Sequence, residues 1–237
     1  MLANFTRIRK FLGYLYRSTL RKTRLVYLQV LGKDLKNKAK YGLNAPVFAE
    51  RIYIKPAECN QAIHSEAIKK ITGLHPRKAS GFVVHGKWPV DEQEGLMDVD
   101  KLPKVQFCYR HFVDGVPWEE TGVYEHMASL IEKRGKVDGC ANSNDVVQRY
   151  QNLDQLYSQV KQEKALRKTK EVKKGVFREY GSVLIHIGPG GKPFFGGGGA
   201  HRFAIAKILN LEYIPAQIGC VHVSAIPTLK KLRRKQV

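Results

Sequence analysis

The chain has 237 residues, 43% of them hydrophobic and 10% aromatic, a composition typical of a folded globular protein. This length and composition exclude a peptide hormone, a disulfide-stapled miniature fold and a disordered chain. The 41 Lys and Arg against 21 Asp and Glu give a formal net charge of +20, concentrated at the two ends. Residues 1–40 hold 11 basic side chains and one acidic one, and residues 225–237 hold five basic side chains and no acidic one. This distribution predicts a nearly balanced core with two basic extensions suited to a polyanion, either nucleic-acid backbone or an anionic membrane surface.

Cysteine spacing and hydropathy indicate the compartment. The four cysteines form no C-x-x-C pair, which argues against a zinc ribbon or a dithiol motif. No apolar run approaches the roughly 18 residues that a spanning helix needs, and the N-terminus carries Arg7, Arg9 and Lys10 where a signal peptide would be apolar. We therefore expect reduced thiols and a cytoplasmic protein, with peripheral membrane contact as the alternative location.

The first 100 residues predict a helix followed by mixed structure. Four apolar residues recur at helical spacing among basic ones and predict a basic amphipathic helix in the 1–40 extension: Phe5, Ile8, Leu12 and Leu15. Such a helix is either an interfacial anchor or a helix packed on its own core. Within 41–100 we expect strands over 51–55 and 81–85 and a helix over 65–72. The pattern leaves open whether 41–100 is a separate subdomain or a decoration of the main sheet.

The next elements predict an α+β arrangement. Residues 105–113 are rich in β-formers and end at a turn signal, Asp114-Gly115, so we predict a strand there. The elements that follow in chain order are a helix begun by Thr121 and ended at Gly135, a helix over 150–160, a strand over 182–187, a tight turn over 188–191 and its hairpin partner over 192–195.

A glycine-rich loop follows this hairpin. Gly196 to Gly199 are consecutive glycines, and Ala200-His201-Arg202 then open a helix with apolar residues at the i, i+3, i+4 positions. The unpaired N–H groups of a helix start form an anion site, and glycine lets the backbone approach a phosphate closely. His201 and Arg202 add donors, and an imidazole can carry a proton in phosphoryl chemistry. The pattern predicts a phosphate site; the alternative is a loop that only turns a corner.

The loop, its helix and the following Ile214-Pro215-Ala216 resemble the ParB/sulfiredoxin superfamily, most strongly over residues 181–220. The resemblance implies an α+β domain over 101–224, with a small mixed sheet and flanking helices. It also implies that the loop binds the phosphates of ATP or CTP with Mg²⁺. The residues that the motif maps onto phosphate contacts are Gly197, Gly198, Gly199, His201 and Arg202.

Departures from the superfamily narrow the activity. Ala200 stands where sulfiredoxins carry the reactive cysteine, which excludes cysteine-sulfinate reduction by that mechanism. Gly198 stands where kinase-like members carry an acid, so a general base must come from elsewhere. Partition proteins continue into a helix-turn-helix domain, whereas thirteen residues follow Ser224, so a complete partition protein is not expected.

Two classes of function follow from this reading. The first is an ATP- or CTP-dependent phosphotransferase, nucleotidase or nucleotide switch, in which His201 and Glu120 are the catalytic candidates. Glu119 and Glu120 come just after the predicted strand over 105–113, where a base or a ligand of a metal-bound phosphate could reach the loop. Glu120 is preferred over Glu119 and Glu179 because it directly precedes the predicted capping residue Thr121, and all three are alternatively surface or helix-terminal acids. No metal-ligand spacing relates four of the other histidines, His111, His126, His186 and His222. The second class is a DNA- or RNA-binding protein or nuclease that uses residues 1–40 and 225–237 for backbone contact, with a membrane-surface adaptor as a weaker third reading.

Overall fold

A seven-stranded mixed sheet organises residues 27–234, the part of the chain that the computed structural model describes. The strands follow the order β1-β7-β5-β6-β2-β4, and β3 also pairs with β7. They are β1 (Arg51–Ile54), β2 (Gln61–Ile63), β3 (Val83–Val84), β4 (Leu96–Asp98), β5 (Leu184–Ile187), β6 (Pro193–Phe195) and β7 (Ile214–His222).

Helices flank this sheet. Among the described residues they are α1 (27–41), α2 (Ser65–Thr72), α3 (Pro103–Phe112), α4 (Val123–Arg134), α5 (Ser143–Glu163), α6 (Thr169–Val172), α7 (Ala200–Ile208) and α8 (Leu229–Leu232). None of the helices between residues 27 and 234 combines the length and apolar character that crossing a bilayer requires. The predicted α+β class with a mixed sheet is confirmed.

Apolar side chains cover both faces of the sheet. Neighbouring residues of β6 point in opposite directions, so that Phe195 joins the larger cluster and Phe194 the smaller one. The larger cluster also contains Phe203 of α7, Met127 of α4 and Tyr150 of α5, all fully buried. Because both faces of the sheet are covered, all four residues of β5 are buried, including the polar His186.

The central strands place the glycine loop. β5 and β6 form the predicted antiparallel hairpin, and β5 and β7 run parallel, joined through β6, the glycine loop and α7. The loop over 196–199 therefore begins beside β5 and ends at the first residue of α7. This arrangement confirms the predicted order of strand, hairpin, loop, helix and strand.

The predicted strand over 105–113 is wrong, because α3 occupies Pro103–Phe112. Pro103 lies in the first helical turn, where its missing N–H costs nothing, and Val105 and Cys108 are buried at a spacing of three. The residues therefore had the right period for a helix, and their β-forming composition was the weaker signal. As a consequence, Glu120 does not follow a strand. It lies in a 3-10 turn, Trp118–Glu120, between α3 and α4.

The segment over residues 41–100 contributes β1, β2, β3 and β4 to the same sheet as the glycine-loop hairpin. Its helix α2 has the predicted bounds and ends at Gly73, whose φ of 69° gives the left-handed cap that glycine adopts at low cost. Its buried residues, Ala67 and Ile68, belong to the smaller apolar cluster.

Parts of the two basic extensions fall inside the described residues. The predicted helix built on Phe5, Ile8, Leu12 and Leu15 lies outside them, as do residues 235–237. In α1, buried Asp34 accepts a hydrogen bond of 2.7 Å from Arg178. Near the other end, Arg233 donates to Glu50 at 2.5 Å and Leu229 of α8 is fully buried. These described portions are packed onto the domain.

Candidate functional site

Two glycines give the loop a backbone that other residues adopt only with strain. Gly197 and Gly199 have φ values of 78° and 73°, and Gly199 is the residue that precedes α7. Two hydrogen bonds hold the loop against β5: Leu184 N–H donates to Gly198 O at 3.0 Å, and Gly196 N–H donates to Leu184 O at 2.8 Å. These hydrogen bonds fix the position of the loop that leads into α7.

The surroundings of Gly196 leave no room for a side chain, and those of Gly198 leave little. A Cβ on Gly196 would lie 2.6 Å from His186 Nε2, and a Cβ on Gly198 would lie 3.1 Å from Arg77 Nη2. His186 is fully buried between Gly196 and Gly219. Packing against His186 excludes a side chain at Gly196, whereas at Gly198 the close atoms belong to Leu184 and to the flexible end of Arg77.

A cleft of about 650 Å³ opens at the N-terminus of α7. Four basic side chains line it against two acidic ones, and they come from different elements: Arg77 from the connection after α2, Lys104 from α3, Arg149 and Asp145 from α5, Asp138 from the turn before α5, and Arg202 from α7. Gly197 and Gly199 line the same cleft. Because a helix N-terminus carries partial positive charge, the backbone and the side chains favour an anion together.

A tight turn places the carboxylate of Asp138 in this cleft. Asp138 and Gly139 have φ values of 52° and 92° and connect Val137 to Cys140, whose N–H and C=O groups pair in both directions at 3.0 and 2.9 Å. Asp138 accepts a hydrogen bond from Lys104 and lies 3.9 Å from Arg149 Nη2. Burial alone would raise the pKa of Asp138, but the hydrogen bond and charge of Lys104, together with Arg149, lower it overall.

His201 lines the cleft as a buried, neutral imidazole. Its Nδ1 lies 3.4 Å from Arg149 Nη2, and its Nε2 lies 3.3 Å from the Tyr150 hydroxyl. Because a guanidinium only donates, Nδ1 accepts and Nε2 carries the proton. Burial, reinforced by Arg149 and Lys104, lowers the pKa of His201 to about 3. The predicted catalytic histidine is therefore placed to orient Arg149, and it is a weak proton acceptor.

Arg202 occupies the other side of the α7 N-terminus. Its Nη2 donates to Gly181 O at 2.7 Å, which leaves further guanidinium N–H groups for a ligand. Burial lowers the pKa of Arg202, Glu179 opposes that shift, and Arg77 adds to it. Glu179 is itself buried and accepts hydrogen bonds from the backbone N–H and hydroxyl of Thr169.

The structure brings together only part of the predicted set. Gly197, Gly199, His201 and Arg202 line the cleft, and Gly198 is in the loop with its carbonyl bonded to β5. Glu120 is exposed and is absent from the described residues that line the cleft; its backbone carbonyl accepts from Arg110 at 2.9 Å.

The sequence patterns did not predict five charged residues of the cleft: Arg77, Lys104, Asp138, Asp145 and Arg149. The Asp138-Gly139 pair is a recognisable turn signal. In contrast, nothing in the neighbouring sequence distinguishes Arg77, Lys104 and Arg149 from basic residues on a solvated surface. Within residues 27–234 no three His, Cys, Asp or Glu side chains are grouped as a metal site.

Comparisons with known proteins assign no relative. No family model matches the chain, and neither a curated protein nor a solved structure matches it.

Proposed function

We propose that this protein binds a nucleoside triphosphate, ATP or CTP, through its phosphates in the cleft at the N-terminus of α7. The observation that carries the proposal is the meeting of three anion-binding features in one cleft: a helix start, two left-handed glycines and an excess of basic side chains. The cleft volume of about 650 Å³ suits a ligand of nucleotide size, since small-molecule sites span about 300–1,000 Å³.

The proposed fold family is ParB/sulfiredoxin-like. The support is the match of the sequence over 199–216 together with the element order: a strand, an antiparallel hairpin partner, the glycine loop, α7, and a strand parallel to the first. In that family the corresponding loop holds nucleotide phosphates, and this chain has the same residue types at Gly199, His201 and Arg202.

The chemistry proposed for the bound nucleotide is transfer or hydrolysis of its terminal phosphate. The four basic side chains of the cleft would stabilise charge on the phosphate oxygens, which is the main protein contribution to phosphoryl transfer. Mg²⁺ would enter on the nucleotide, held mainly by phosphate oxygens and water. Asp138 and Asp145 are the carboxylates of the cleft, and Asp138 is occupied by Lys104 and Arg149.

Replacing Arg202 tests the proposal. We expect Arg202→Ala to weaken ATP or CTP binding about tenfold to a hundredfold, since a charge-assisted hydrogen bond contributes about 1.5–3 kcal/mol. Isothermal titration calorimetry with Mg²⁺ present measures this. The matched control is Arg51→Ala, which removes an equal charge from an exposed residue outside the cleft and leaves the affinity unchanged. Equal affinities for wild type and Arg202→Ala would contradict the site.

A second candidate function is binding to nucleic-acid backbone. The observation that favours it is the largely exposed segment over 161–174, which holds seven basic and two acidic side chains. Such binding would fall steeply with salt because phosphate contacts release counterions. It would also be insensitive to Arg202→Ala, so the same variant separates the two functions.

A further inference from the structure

Arg77 is a cation without a neutralising partner at the glycine loop. Within the described residues 27–234 it makes no hydrogen bond and no salt bridge, although it is only partly exposed and lines the cleft. Its guanidinium lies against Gly198: Nη2 and Cζ are 3.1 and 3.4 Å from the position that a Cβ on Gly198 would take. A guanidinium in this setting retains N–H donors that can face a ligand.

The backbone that carries Arg77 is anchored to the centre of the sheet. After Arg77 the chain turns back onto β7, where Gly81 N–H donates to Gly219 O at 2.8 Å. Buried Ser80 accepts from Ala49 N–H at 2.9 Å and donates to Ile218 O at 2.5 Å. These contacts fix the segment that follows Arg77, so its position at the cleft is a property of the fold.

Arg77 and Arg202 line the same cleft and carry like charges. Burial lowers the pKa of Arg202, the charge of Glu179 opposes that shift, and the charge of Arg77 makes a smaller contribution that lowers the pKa further. The carboxylate of Glu179 is already engaged by Thr169 and forms no salt bridge with either arginine among the described residues. An anion bound in the cleft between two guanidinium groups interacts favourably with both.

We infer that Arg77 and Arg202 form a two-arginine clamp for the terminal phosphate of the bound nucleotide, on the Gly198 side of the α7 N-terminus. The inference rests on the proposed function and specifies its ligand. A terminal phosphate has two negative charges and three free oxygens, so it can accept hydrogen bonds from both guanidinium groups. A backbone phosphodiester of nucleic acid has one negative charge and two free oxygens, so it makes a poorer match. The clamp also makes the segment over 41–100 part of the site, because that segment supplies Arg77.

The test compares two Arg77 variants with a neighbouring control. Calorimetric titrations with ATP, inorganic pyrophosphate and a short single-stranded DNA are made on wild type, Arg77→Ala, Arg77→Lys and Lys78→Ala. Lys78 is exposed and does not line the cleft, so Lys78→Ala removes the same charge one residue away. We expect Arg77→Ala to weaken ATP and pyrophosphate binding at least tenfold, Arg77→Lys to recover part of the loss, and Lys78→Ala to match wild type.

The outcomes separate this inference from the proposed function. Unchanged ATP binding by Arg77→Ala, together with weakened binding by Arg202→Ala, overturns the clamp and leaves the nucleotide site in place. An equal loss of DNA and ATP binding in Arg77→Ala overturns the assignment to a terminal phosphate. Absence of ATP and pyrophosphate binding to wild type overturns both. Circular dichroism confirms that each variant is folded before the comparison is made.

Discussion

Replacing Gly199 by alanine lowers the free energy of unfolding by about 3 kcal/mol, and the same change at Gly197 lowers it by about 1 kcal/mol. Both residues have φ near +75°, so alanine is strained at each. They differ in their surroundings: a Cβ on Gly199 would lie 2.9 Å from Val183 Cα and 3.0 Å from Val183 N, whereas a Cβ on Gly197 meets nothing within 4 Å. Backbone atoms cannot move aside as a flexible side chain can.

Urea denaturation of the two variants measures this difference, with Gly197→Ala as the matched control for the left-handed conformation. The excess loss in Gly199→Ala reports the approach of the loop to the residue that precedes β5. Equal losses in the two variants would mean that the loop does not pack on Val183. They would therefore contradict the claim that this packing fixes the start of α7 at the anion site.

Acidification from pH 7 to pH 5 lowers the free energy of unfolding by about 4 kcal/mol, through two buried histidines. Burial lowers the pKa of His186 to about 3, and burial with nearby cations lowers that of His201 to about 3. Above pH 6.5 both are neutral in the folded and unfolded states. Between pH 6.5 and 3 the unfolded chain binds the extra protons, so stability falls as pH falls. The lowered pKa of Asp138 acts in the same direction, but below pH 3.8.

Unfolding free energies at pH 7, 6 and 5 test this result in wild type and in His201→Gln. The variant removes one of the two titrating groups and is expected to show about half the wild-type pH dependence. His75→Gln replaces an exposed histidine and should keep the full dependence. A wild-type stability that stays constant between pH 7 and 5 would show that these two imidazoles are not buried as described.

Local sequence patterns were sufficient to predict the helices and the hairpin that are determined by residues close together in the chain. The apolar period and a flanking glycine predicted α4 and α7, the helix expected over 65–72 matches α2, and the Gly188–Gly191 turn predicted the β5–β6 hairpin. The strand predicted over 105–113 failed because β-forming composition was weighted above helical spacing. Pro103 and the buried pair Val105 and Cys108 carried the correct information.

The candidate site was predictable only where one segment forms it. The glycine loop, His201 and Arg202 are contiguous in the chain, so a motif reveals them together. Lys104 and Arg149 reach the cleft from α3 and α5, and Arg77 reaches it from a connection more than 100 residues earlier than the loop. Their meeting depends on tertiary packing. The low pKa of His201 likewise arises from burial and from charges on other helices.

The central claim is that the cleft holds nucleotide phosphates, and titration of ATP, CTP and a short DNA into the wild-type protein at two salt concentrations tests it most directly. We predict binding of ATP or CTP at one site, with an affinity that changes little with salt because the contacts are confined to a cleft. Absence of nucleotide binding, combined with DNA binding that collapses as salt rises, would contradict the claim and assign the function to the basic surface.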